Sequence, residues 1–233
     1  MRRPLLGLAA SCALAGLGFG LGWWSREPRL DAGRYGQGRH AAVQAHLDEA
    51  PEGYVFLAGD SQAELQSPAQ RPCGLELVNG GVAGASAEVY ADFIGTLAFR
   101  RPARAAFLAI GTNDILAKNA PRDPAAIARF EGAAERILRA LLQRSARVVV
   151  AALPPVGREI AGRLDAGAVG PYSERLRVLC ARLGCRFTDP YADLRDGEDG
   201  FARPGAMSNG LHLAAYRPAL AAAEPALCEA PTR

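Results

Sequence analysis

The stretch Tyr54-Val55-Phe56-Leu57-Ala58-Gly59-Asp60-Ser61 decides the fold. An apolar run with no polar alternation passes directly into Gly-Asp-Ser. A short unbroken apolar run closed by turn residues is the pattern of a strand buried on both faces, as in a parallel sheet. In open parallel sheets the ligand crevice lies beyond the carboxyl ends of the strands. Ser61 therefore stands where a nucleophile would stand. Gly, Asp and Ser are also ordinary turn residues, and this stretch alone does not separate the two readings.

Downstream, the same pattern recurs. Strands are expected at residues 75–78, 105–110, 147–153 and 185–188, giving five with the first. Helical spacing is expected over residues 88–99, 123–143 and 171–183, with a last helix within 213–227 interrupted at Pro218. The clearest helix opens at Asp123-Pro124, where the missing proline N–H costs nothing. Its apolar face is Ile127, Phe130, Ala134, Ile137, Leu138, Leu141 and Leu142. Upstream, residues 39–50 read as a short amphipathic helix with Ala42, Val43 and Leu47 on one side. Strands alternating with helices predict an α/β fold with a mostly parallel sheet covered on both faces. Neither a G-x-G-x-x-G turn after the first strand nor a Walker A loop is present, so the nucleotide-binding readings are weak.

The N-terminus differs in kind. Arg2 and Arg3 precede an apolar run from Pro4 to Trp24, and no further charge appears before Arg26. About 20 such residues suffice to span a bilayer, and a basic start before an apolar stretch is a targeting pattern. The expected organisation is a signal anchor or signal peptide at 1–25, a linker at 26–51, a globular domain at 52–228 and a tail at 229–233. An uncleaved anchor is favoured over lipidation at Cys12, because the apolar run continues well past that residue. The domain is then exported and membrane-anchored, facing the periplasm or the cell exterior. Without Met1 to Trp24 the chain carries 25 basic and 24 acidic residues, which gives no electrostatic footprint for nucleic acid.

Three histidines leave little room for a His-rich metal site, and His40 and His46 read as surface or helix-packing residues. Cys73, Cys180, Cys185 and Cys228 form an even set in an oxidising compartment. Cys180 and Cys185 could pair locally, leaving Cys73 for Cys228. Four cysteines allow three pairings, and free buried thiols remain an equal alternative.

Three expected strands end in small polar motifs: Gly59-Asp60-Ser61, Gly81-Val82-Ala83-Gly84 and Gly111-Thr112-Asn113-Asp114. A parallel sheet sets these ends along one edge. That gathers a hydroxyl, a glycine N–H and an amide side chain, a nucleophile with donors for a developing oxyanion. His212 follows near the C-terminus in Ser208-Asn209-Gly210-Leu211-His212. The four blocks, in this order over residues 54–216, resemble the SGNH (GDSL-type) hydrolase family. The resemblance implies a flavodoxin-like three-layer α/β/α fold with Ser61 as nucleophile and His212 as general base. The Ser61 N–H, the Gly84 N–H and the Asn113 side chain would form the oxyanion hole. No metal or organic cofactor is implied. The first block reads Gly-Asp-Ser-Gln where the family has Gly-Asp-Ser-Leu.

One departure concerns the chemistry. The family places an Asp three residues before the His, and here that residue is Asn209. An amide can bond the ring but offers no charge and can select the wrong tautomer. Asp196 and Asp199, in the preceding loop, are alternative carboxylates for the ring. The function expected from the resemblance is an exported serine ester hydrolase acting on an acyl ester, with an O-acetylated carbohydrate as the favoured substrate. The alternatives are an envelope glycan O-acyltransferase, or a degenerate glycan- or partner-binding protein marked by Asn209. Residues 156–170 are a candidate substrate loop.

Overall fold

A computed structural model describes residues 31–197 and 200–229. The expected anchor lies outside the described residues. Among those residues no helix is long and apolar enough to cross a membrane.

Five strands form one sheet: β1 (Val55–Gly59), β2 (Leu77–Asn79), β3 (Ala105–Ala109), β4 (Val148–Ala151) and β5 (Arg186–Thr188). Their order is β2-β1-β3-β4-β5 and every pairing is parallel. This is the flavodoxin-like order, in which the chain reverses its direction of winding beside β1. β1 and β3 are buried at every position, as unbroken apolar runs require. Alternate residues serve opposite faces. Phe56, Ala58, Ala106, Leu108, Val148 and Val150 join one apolar cluster, while Leu57, Phe107, Ala109, Val149 and Ala151 join another.

The larger cluster is closed by helices α1 (Ala32–Glu49), α3 (Ala87–Thr96), α4 (Pro124–Leu142) and α5 (Val169–Leu183). The smaller is closed mainly by α6 (Arg217–Cys228), with a short α2 (Ser61–Glu64) directly after β1. Ser86 caps α3 by accepting from the Val89 N–H, and Pro124 occupies the first turn of α4.

Two expectations are corrected. α1 begins at Ala32, seven residues before the expected start, and buries Gly36, Val43 and Leu47. Three glycines in its first turns hid it from propensity, and packing overrides them. A Cβ on Gly36 would lie 3.4 Å from Val82 and 3.5 Å from Phe93, so the glycine lets the helix approach closely. Pro218 does not interrupt α6 but sits in its first turn, where no intrahelical N–H is needed.

Both disulfides form: Cys73–Cys228 and Cys180–Cys185. The first ties the end of α6 to the turn before β2. The second spans the C-terminus of α5, where Gly184 adopts φ +78° and its N–H bonds the Cys180 carbonyl.

Candidate active site

The site is built at the carboxyl ends of β1, β2 and β3. Gly59 holds φ +134°, and a Cβ there would lie 1.8 Å from the Ala109 carbonyl oxygen. Only glycine lets β1 turn this tightly against β3. Asp60 follows, fully buried, and caps α2. One of its oxygens accepts the Gln62 N–H at 2.9 Å and the other accepts the Thr112 N–H at 3.2 Å. Burial pushes its carboxyl up to about 6, with those hydrogen bonds pulling the other way. Asp60 thus binds the Ser61 turn to the loop that carries Asn113.

The second block is braced from α2. The Asn79 amide lies within bonding distance of the Ala63, Glu64 and Gln66 carbonyls, at 3.0, 3.0 and 3.2 Å, and accepts the Gly81 N–H. Glu64 accepts the Ala83 N–H at 2.6 Å and is itself bonded by the Tyr35 hydroxyl, with Arg39 3.7 Å away. These contacts fix the backbone leading to Gly84. Among the described residues no partner is found for the Gly84 N–H or the Ser61 N–H. Asn113 donates from Nδ2 to the Ala85 carbonyl at 3.0 Å, which leaves its second amide hydrogen unclaimed. Next to it, Asp114 accepts the Ala87 N–H at 2.9 Å, and burial raises its carboxyl to about 7.

His212 arrives on a turn closed by the Ser208 N–H to the His212 carbonyl, 2.8 Å. Its Nε2 lies 3.1 Å from Ser61 Oγ. Desolvation, and then the charge of Arg163, lower its pKa below the ordinary 6.5. Asn209 meets the other ring nitrogen: Nδ2 stands 3.1 Å from Nδ1. Its Oδ1 accepts the backbone N–H groups of Leu211 and His212 at 3.2 and 2.9 Å. Those two donors dictate which arm of the amide faces the ring. The nitrogen arm donates to Nδ1, so the neutral imidazole carries its proton on Nε2, toward Ser61.

The structure therefore brings Ser61, Gly84, Asn113, Asn209 and His212 to one sheet edge. It does not bring Asp196, whose carboxylate pairs with Arg158 at 2.9 Å. Asp199 lies outside the described residues. The loop after β4 spans the edge of the site. Gly157 donates to the Gly210 carbonyl at one end, and Arg163 accepts the Ala117 N–H near the other. His40 bonds the Thr96 carbonyl on α3 and takes no part. Among the described residues no group of three His, Cys, Asp or Glu side chains is placed to hold a metal ion. Sequence reasoning overlooked Gln62, Glu64 and Arg163. A polar Gln directly after Ser61, in a turn flanked by apolar residues, is the one signal that was available.

With the ring in its other tautomer, protonated on Nδ1, the arrangement can take a proton from a serine hydroxyl, and it can place up to three N–H donors around an oxygen. The sequence model of the GDSL-like Lipase/Acylhydrolase family matches residues 34–216. No curated protein matches the chain. A Streptococcus pneumonia protein superposes with TM-score 0.71 at 17% identity, covering 92% of this chain and 99% of its own. A GDSL-like lipase from Bacteroides thetaiotaomicron gives TM-score 0.62 at 14% identity, covering 81% and 94%. A carbohydrate acetylesterase family member from Sinorhizobium meliloti gives 0.55 at 16% identity, covering 74% and 96%. At such identities the likeness shows a shared fold.

Proposed function

The chain belongs to the GDSL-like Lipase/Acylhydrolase family, and from that premise we propose that it is a serine esterase removing a short, O-acetyl-type acyl group. The observation that carries this reading is the 3.1 Å approach of His212 Nε2 to Ser61 Oγ beside the unclaimed N–H groups of Ser61 and Gly84.

Ser61 Oγ attacks the acyl carbonyl while His212 Nε2 takes its proton. The Ser61 and Gly84 N–H groups and the Asn113 amide receive the oxyanion. Collapse expels the alcohol, which takes the proton back from His212. Water, deprotonated by the same ring, then releases the acyl group. Proton abstraction requires a free Nε2 and so runs through the tautomer that Asn209 disfavours, which slows the chemistry without forbidding it.

An acetylated carbohydrate is the favoured substrate. One structural neighbour is a carbohydrate acetylesterase family member. The N-terminal Arg2, Arg3 and apolar run favour an exported domain tethered to a membrane and facing the periplasm or the cell exterior. Release of acetate from p-nitrophenyl acetate and from acetylated glycans, compared with Ser61→Ala, tests the reaction. Turnover that Ser61→Ala leaves intact refutes it. Glycan binding with no turnover moves the assignment to a binding protein. Acyl transfer to added glycan in preference to water moves it to an acyltransferase.

A further inference from the structure

The turn that carries His212 is largely closed on itself. Its hydrogen bonds run from Ser208 to the His212 carbonyl and from the Leu211 and His212 N–H groups to Asn209. Outside the Ser61–His212 contact, two hydrogen bonds tie residues 208–212 to the rest of the described domain. One is the Gly157 N–H to the Gly210 carbonyl, at 2.8 Å. The other comes from Gln62, whose Nε2 donates to the Leu211 carbonyl at 2.8 Å.

Gln62 follows the nucleophile directly, and Leu211 directly precedes the histidine. The Gln62 side chain is 1% exposed. Its backbone N–H is held by Asp60 at 2.9 Å, and its Oε1 accepts from the Tyr216 hydroxyl at 3.2 Å. Each arm of the amide is therefore used: the Leu211 carbonyl, which can only accept, selects the nitrogen arm, and the Tyr216 hydroxyl donates to the oxygen arm. An amide is suited to this, because it donates on one side and accepts on the other without carrying charge.

On the reading of Ser61 and His212 given above, we infer that Gln62 is a positioning residue: its buried amide sets the His212 turn against the Ser61 turn and so fixes the distance between the two reacting groups. It touches no reacting atom. Its effect lies in alignment, where a displacement of about 1 Å costs about 100-fold in rate.

The test compares the parent with Gln62→Leu, which keeps the bulk and removes both bonds, and Gln62→Glu, which can donate to Leu211 only when protonated. On p-nitrophenyl acetate, Gln62→Leu is expected to lose about 100-fold in kcat with KM within about threefold. Gln62→Glu is expected to recover as pH falls, giving an alkaline limb absent from the parent. In parallel, NMR follows the titration of His212. With three histidines in the chain the signals are separable, and His40 and His46 report whether the fold is intact. In Gln62→Leu the His212 titration should move up toward the ordinary 6.5, while the ring signals of His40 and His46 keep the parent's chemical shifts. An unchanged kcat, or an equal loss in both variants at every pH, overturns the inference. If the parent shows no turnover, the esterase reading fails by itself, and an unmoved His212 titration in Gln62→Leu then overturns this inference independently.

Discussion

Asn209 donates its amide N–H to His212 Nδ1 across 3.1 Å while its Oδ1 is held by the two backbone N–H groups of Leu211 and His212. The side chain cannot flip without setting its own N–H groups against two backbone donors. The ring is thus well oriented but protonated on the nitrogen that faces Ser61. A carboxylate at the same place would keep both backbone bonds and reverse the remaining one.

Asn209→Asp should therefore raise kcat. Oδ1 keeps its two N–H donors, and the second oxygen accepts a proton from Nδ1, freeing Nε2 as the base. In the serine protease triad the reverse change costs about 10⁴ in turnover. A gain between tenfold and that ceiling is expected. The new charge also stabilises the imidazolium, so the acid limb of the pH–rate profile moves upward. Equal rates for the parent and Asn209→Asp would mean that the tautomer does not limit the reaction.

The charge of Arg163 acts on the same ring. Burial is the larger cause of the lowered His212 pKa, and the Arg163 charge is the second. A cation disfavours the imidazolium. In the parent, the rate should rise with pH through a limb below 6.5, the ordinary histidine value. Arg163→Gln should shift that limb upward with little change in the plateau. A limb that stays put, or moves to lower pH, would show that the charge does not reach His212.

Much of this was legible in the chain because it is local. Unbroken apolar runs ending in Gly-Asp-Ser, Val-Asn-Gly-Gly and Gly-Thr-Asn-Asp mark buried strands and their loops, and parallel pairing sets the loops on one edge. Tertiary choices were not legible. Spacing places Asn209 three residues before His212 but does not say which arm of its amide faces the ring. Gln62 reads as one more turn residue until Leu211, 149 positions away, comes to meet it. Asp196 looked available to the ring, and the structure gives it to Arg158. The start of α1 was hidden because glycines that weaken an isolated helix are what allow this one to pack.

Asp114 carries a stability prediction. Its ordinary pKa of 3.8 is raised to about 7 by burial, and that of Asp60 to about 6. Between those limits the folded protein holds protons that the unfolded chain has released, so stability falls as pH rises through the window. Glu135, Asp165 and Glu174 have lowered values and lose their contribution only on the acid side of the ordinary carboxylate range. The melting temperature should therefore be higher at pH 5 than at pH 8 by several degrees. Asp114→Asn, whose amide oxygen can still accept the Ala87 N–H, should flatten much of that difference. A parent that is equally stable at both pH values would contradict the assignment.

The disulfides should contribute unequally, because their loops differ. Cys73–Cys228 joins residues 155 apart, while Cys180–Cys185 joins residues 5 apart. In the chain-entropy model the long closure is worth about 5 kcal/mol and the short one about 2 kcal/mol, with measured values commonly lower. The long bridge also fixes the end of α6 to the turn at Cys73, where Glu224 of the same helix accepts the Cys73 N–H at 3.1 Å. Cys73→Ser with Cys228→Ser should lower the melting temperature by on the order of 10 °C, and Cys180→Ser with Cys185→Ser by less than half of that. Neither bridge touches Ser61 or His212, so kcat at 20 °C should survive both changes. Equal melting shifts for the two pairs would show that native contacts, rather than loop closure, set what each bridge contributes.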